Sequence, residues 1–87
     1  MSFAPSNQLL LTASQLGQLL VSTRKRRKLT QAALATHIGL SQTRISYLEN
    51  HADEISIKQL LSWCSVLELE LQLGERDTST VRNPAEW

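Results

Sequence analysis

Ser41, Gln42, Thr43, Arg44 and Ser46 set three hydroxyls, a carboxamide and a guanidinium along one short stretch, with Ile45 and Leu48 as its apolar members. Such groups suit non-covalent reading of nucleic-acid base edges better than bond making or breaking. The amide of Gln42 matches adenine N6 and N7 bidentately, and Thr43 offers a methyl to thymine or a hydroxyl to a base or phosphate. Ser46, one turn further on, reaches a base edge or a phosphate. Arg44 suits guanine or phosphate, and phosphate is the preferred assignment. Gln31 is placed to bond phosphate and to brace Gln42, and the free N–H groups of its helix add to an anion site. Tyr47 has two candidate roles, contact with a nucleic-acid backbone or cover for the core.

The charges are sorted along the chain. Residues 1–48 hold six basic residues (Arg24, Lys25, Arg26, Arg27, Lys28, Arg44) and no Asp or Glu, whereas residues 49–87 hold three basic residues and eight acidic ones. The net charge of +1 hides this split. A basic half suits a polyanion, and Arg24, Arg27 and Lys28 are candidates for a salt-dependent grip on phosphate.

Other chemistry finds little support. His37 and His51 flank different elements, and no cluster has metal-ligand or triad spacing, so no metal, no cofactor and no enzymatic activity is expected. The single Cys64 has no disulfide partner in the chain and reads as a buried thiol. No apolar run approaches the roughly 20 residues of a membrane span. No basic segment precedes Leu9–Leu11, so a signal peptide fits poorly and the expected compartment is the cytoplasm. The 87 residues hold one domain. A chain this short buries about 60–65% of its unfolded surface, so dimerisation is a natural supplement to its core.

The elements that must position these groups are mostly helical. Residues 1–13 read as an irregular arm, in which Leu9–Leu11 form an extended segment or lie on the core. Ser14 is expected to cap a first helix to about Arg27, with Leu16, Leu19, Leu20 and Thr23 inward. Thr30 caps a short helix over residues 31–37, where small Ala32 and Ala35 allow close approach to the next helix. Gly39 permits a sharp turn, Leu40 dips into the core, and Ser41 caps a third helix over residues 42–50. Two short helices joined by a glycine-containing turn are the signature of a helix-turn-helix. After a polar connection over residues 51–54, Ser56 caps a fourth helix to about Glu68, with Ile57, Leu60, Leu61, Cys64 and Leu67 on one face and Trp63 beside it. From Leu67 the period becomes two: Leu67, Leu69, Leu71 and Leu73 alternate with Glu68, Glu70 and Gln72, as in a half-buried strand. That strand needs a partner, either the N-terminal arm or, preferably, the same strand of a second chain. The division is therefore an arm over 1–13, a helix-turn-helix domain over 14–68, a dimerisation strand over 69–73 and a flexible tail over 74–87. Trp87 ends that tail as an interface anchor or folds back on its own domain.

Residues 29–50, LTQAALATHIGLSQTRISYLEN, resemble the Cro/C1-type (XRE-family) helix-turn-helix, with Gln31, Gly39 and the closing Glu49-Asn50 all in place. The likeness spans about residues 14–68. It implies an all-α, lambda-repressor-like domain of four to five helices followed by one C-terminal β-strand that pairs across a homodimer. The early Met1-Ser2-Phe3, the strand entry Val66-Leu67-Glu68-Leu69 and the ending Glu86-Trp87 are similar to HipB-type antitoxins. That resemblance implies autorepression through an inverted-repeat operator in double-stranded DNA, and binding of a HipA-like serine/threonine kinase toxin. A standalone phage-type regulator without a toxin is the alternative. The family often pairs residues at the positions of Arg24 and Glu49, which gives Arg24 a second role. HipB-like proteins more often carry a less basic residue where Arg44 stands. The acidic half, with Glu49, Asp53, Glu54, Glu68 and Glu70, is assigned to the protein partner, and Glu68, Glu70 and Trp87 are its candidate contacts.

Overall fold

Among residues 9–75, which this computed structural model describes, each of the four α-helices starts on a hydroxyl. Helix α1 spans Ala13–Arg26, α2 Gln31–Ile38, α3 Gln42–Asn50 and α4 Ile57–Leu67, and a 3₁₀ turn over Ala52–Glu54 joins the last two. The caps are Thr12, Thr30, Ser41 and Ser56, each accepting a backbone N–H of the first turn. A serine or threonine cap contributes about 1 kcal/mol by satisfying a donor the helix itself leaves open.

Thr12, rather than the expected Ser14, opens α1. The reason is a reciprocal capping box: Gln15 N donates to Thr12 Oγ1, while Thr12 N donates to Gln15 Oε1 at 3.1 Å. Ser14 has Gly17 at the corresponding position and no such partner. Gly39 ends α2 in the left-handed region at φ 87°, as the turn requires.

Helices α2 and α3 pack on each other, α1 crosses α3 and the 3₁₀ turn, and α4 closes the bundle against α1 and α2. The core comprises Leu20, Leu34, Ala35, Ile45, Leu48, Leu60, Trp63, Cys64 and Leu67. Burial pushes the Cys64 thiol pKa up, so this thiol stays protonated and inert. Trp63 is fully buried, and its indole Nε1 has no hydrogen-bond partner among the described residues. Trp63 displaces part of the expected α4 face: Ile57 and Leu61 are exposed. Ala32 is exposed as well, so Ala35 alone supplies the small buried surface of α2. Leu9 and Leu11 are exposed rather than on the core.

Leu67 is a core residue. It is fully buried at the end of α4, which corrects its assignment to the dimerisation strand. Glu68 then takes the left-handed conformation at φ 59° and breaks the helix, so the period of two starts at Leu69. Among the described residues, 69–75 carry no strand pairing. Leu69 is half-buried against the core, and Leu71 and Leu73 are exposed. Trp87 and the expected tail beyond residue 75 lie outside the described residues, as do the first eight residues of the arm.

Gly17 is the close-approach point of α1 that the sequence pattern did not single out. A Cβ built there would lie 2.9 Å from the Glu49 carbonyl oxygen and 3.5 Å from Ala52 Cβ. In a free helix, Gly→Ala would be stabilising by about 1 kcal/mol. Here the clash is with backbone, which cannot swing aside, so Gly17→Ala is expected to lower stability by about 1–3 kcal/mol in urea denaturation. A gain instead would show that α1 slides past α3 without resistance.

Candidate nucleic-acid interface

A buried ion pair fixes the frame on which the polar row stands. Arg24 Nε donates to Glu49 Oε2 at 2.7 Å and Nη2 to Oε1 at 3.3 Å, while Nη1 donates to the Leu29 carbonyl at 2.9 Å. The Arg24 and Glu49 side chains are 9% and 3% exposed. Arg24 therefore ties the end of α1 to α3 and to the loop before α2. Of its two candidate roles the ion pair is the one observed, and the guanidinium is not presented to a phosphate. Glu49 correspondingly leaves the set of partner-facing acids.

Gln31 joins the same network. Its Nε2 donates to Glu49 Oε1 at 2.9 Å, so the amide braces α3 through Glu49 rather than through Gln42. Gln31 nevertheless lines one shallow depression of about 470 Å³ together with Gln42, Thr43, Ser46 and Tyr47. The fold thus brings the candidate base-reading residues Gln42, Thr43 and Ser46 together at the N-terminal and middle turns of α3. Ser41 sits beside them, with its Oγ accepting from Arg44 N as the helix cap. Ile45 and Leu48 face inward and are fully buried.

The other candidates are distributed unevenly. Lys28 is exposed after α1, in the left-handed region at φ 60°. Arg27 is exposed but its Nη1 is 2.7 Å from Glu68 Oε1, which links the end of α1 to the end of α4. With the pair 43% and 71% exposed, that contact is worth about 0–1 kcal/mol. Tyr47 does not cover the core. It is exposed, stacks on His51 with ring centroids 4.1 Å apart, and donates its hydroxyl to Glu54 Oε2 at 2.6 Å. The Arg44 guanidinium lies 5.3 Å from the same ring centroid. The spacing of Arg44, Tyr47 and His51 could have suggested their stacking, but Glu54 joins the cluster only through the 3₁₀ turn, which the sequence pattern does not show.

Two short helices joined at Gly39, the second with a polar outward row, match a helix-turn-helix family model over residues 20–73. The chain belongs to the helix-turn-helix family. Two solved structures are similar to this helix-turn-helix chain. One is a chain of a HipA–HipB–O2–O3 complex, at 29% identity and TM-score 0.72, covering 79% of this chain and 97% of that one. The other is a serine-to-alanine HipB variant in complex with an O2 20mer, at 31% identity and TM-score 0.73, covering 80% and 97%. No curated protein matches the chain. Among the described residues no helix is long and apolar enough to cross a membrane.

Proposed function

We infer that the protein is a sequence-specific transcriptional repressor that acts as the antitoxin of a type II toxin–antitoxin pair, repressing its own operon and neutralising a HipA-like serine/threonine kinase. The observation that carries the reading is the outward polar row on α3, held by the buried Arg24–Glu49 pair and by Gln31, in a chain similar to HipB solved with HipA and with O2. In this reading α3 enters the major groove with its N-terminal turn toward the bases, as the second helix of such a motif does. Ser41, Gln42, Thr43 and Ser46 meet base edges. Arg44, Arg27 and Lys28 lie toward phosphate, Tyr47 lies beside Arg44 with its hydroxyl on Glu54, and Gln31 contributes its outer amide oxygen and backbone N–H. The protein works where its DNA is, in the cytoplasm and at the nucleoid.

Two copies would present two such helices about one DNA turn apart, which calls for an inverted-repeat operator. Residues 69–73 supply the link, each strand pairing with its counterpart in the second copy. Exposed Leu71 and Leu73 support this, because an apolar edge left open invites pairing. Glu68, Glu70 and Trp87 remain the proposed contacts for the kinase, with Arg27 competing for Glu68.

The test is binding to a duplex taken from upstream of the protein's own gene, by gel shift at two salt concentrations. Gln42→Ala is expected to weaken binding by roughly ten- to a hundredfold, the value of one good bidentate base contact. Higher salt should weaken both proteins. A folded wild type that prefers this duplex no more than a scrambled one would remove self-repression, and a pull-down with the kinase then becomes the test of the remaining half.

A further inference from the structure

Arg44, Tyr47 and His51 lie three and four residues apart, so the first two stand above one another on the exposed side of α3 and His51, its C-cap, follows them. Each is tied to the next. The Arg44 guanidinium lies 5.3 Å from the Tyr47 ring centroid, and the ring stacks on His51 at an interplanar angle of 12°. His51 Nδ1 is 2.9 Å from the Tyr47 carbonyl, which can only accept, so the imidazole is fixed as the donor. The Tyr47 hydroxyl is fixed by Glu54 from the following 3₁₀ turn. That carboxylate's hydrogen bond, together with slight burial and its charge, pushes the phenol pKa up and keeps the hydroxyl a donor. Two side chains, His51 and Glu54, thus hold the Tyr47 ring, and the ring holds one arginine. Among the described residues Arg44 has no carboxylate partner, so its charge is available to an anion.

We propose that Tyr47 is a positioning residue that acts through Arg44: the ring, clamped by His51 and Glu54, presents the guanidinium to a DNA phosphate beside the groove entered by α3. This rests on the DNA-binding reading above and sharpens it. The hydroxyl does not itself contact the nucleic acid, since it points to Glu54. What the ring supplies is restriction. A free arginine gives up considerable rotamer freedom on docking, and a guanidinium already stacked on an aromatic face gives up less. Tyr47 belongs to the same depression as Gln42, Thr43 and Ser46, which places the plate at the edge of the base-reading row.

The experiment is fluorescence anisotropy on a labelled duplex from upstream of the gene, beside a scrambled duplex, over a salt series. Arg44→Ala is expected to reduce the slope of log affinity against log salt by about 1, as loss of one phosphate contact does. Tyr47→Ala should weaken binding roughly three- to fivefold, the scale of an exposed cation–π contact. The double variant should bind no more weakly than Arg44→Ala alone, because the two act as one unit. Tyr47→Phe, which keeps the ring, should stay within about twofold of wild type. Additive losses, Tyr47→Phe as weak as Tyr47→Ala, or Tyr47→Ala binding like wild type would each overturn the proposal. If circular dichroism shows Tyr47→Ala unfolded, Glu54→Ala reads the same link. Its phenol, the only one in the chain, should titrate lower, and its affinity loss should vanish in the Arg44→Ala background. Failure of wild type to prefer the upstream duplex overturns the repressor reading, and this proposal with it. That failure is distinct because it appears before any variant is compared.

Discussion

Glu49→Ala is expected to lower the unfolding free energy by about 3–5 kcal/mol, the usual penalty for stranding one partner of a buried ion pair. Small domains hold about 5–15 kcal/mol in total, so the variant should sit close to its unfolding transition at moderate temperature. Burial makes this penalty large. The Arg24 guanidinium would keep only the Leu29 carbonyl, inside a site where its side chain is 9% exposed. Gln31 would lose its acceptor in the same step. The effect should persist at high salt, because ions screen a buried pair poorly. Urea denaturation followed by circular dichroism measures it. A loss below about 1 kcal/mol would mean that water reaches Arg24 and the pair behaves like the exposed Arg27–Glu68 contact. Replacing Arg24 and Glu49 together by apolar residues of similar volume should recover much of the loss, since the pair's net contribution is small compared with the penalty of leaving it half-made.

The position of the reading helix was legible because its signals are local. Thr30, Gly39 and Ser41 each have a conformational reason to be where they are, and Ile45 and Leu48 fix which side of α3 turns outward. Local chemistry also held the answer at α1, where Thr12 with Gln15 three residues on outranks Ser14 with Gly17. What the sequence does not display is the choice between partners. Arg24 and Arg27 are both cations at the end of one helix, yet one is buried on Glu49 and the other exposed beside Glu68. Only the crossing of α1 over α3 decides between them, and Gly17, which permits that crossing, leaves no periodic trace. The α4 face shows a related limit. Leu61 lies about 100° around the helix from Leu60, and both satisfy an apolar stripe. The bulk of Trp63 on the other side determines that Leu60 is buried and Leu61 is not.

Leu67→Ala should destabilise the fold by about 2–5 kcal/mol while leaving the association of folded chains unchanged. Leu67 satisfies two patterns at once: it closes the helical series Leu60, Trp63, Cys64, and it opens the alternating series Leu69, Leu71, Leu73. A sequence pattern cannot divide a residue that fits both periods. The backbone divides it, because Glu68 turns left-handed directly after it and Leu67 is left wholly within the bundle. Leu73 is the converse case, at 97% exposure. Its replacement by alanine should move the unfolding free energy of the domain by less than about 0.5 kcal/mol, the range for a surface site. It should weaken self-association if residues 69–73 pair between copies. Urea denaturation gives the first quantity, and analytical ultracentrifugation of the folded variants gives the second. A Leu67→Ala protein that remains as stable as wild type but dissociates would return Leu67 to the interface and require that α4 end before it. The expected pattern, stability lost at Leu67 and association lost at Leu73, separates the core from the edge at Glu68, the residue where the period changes.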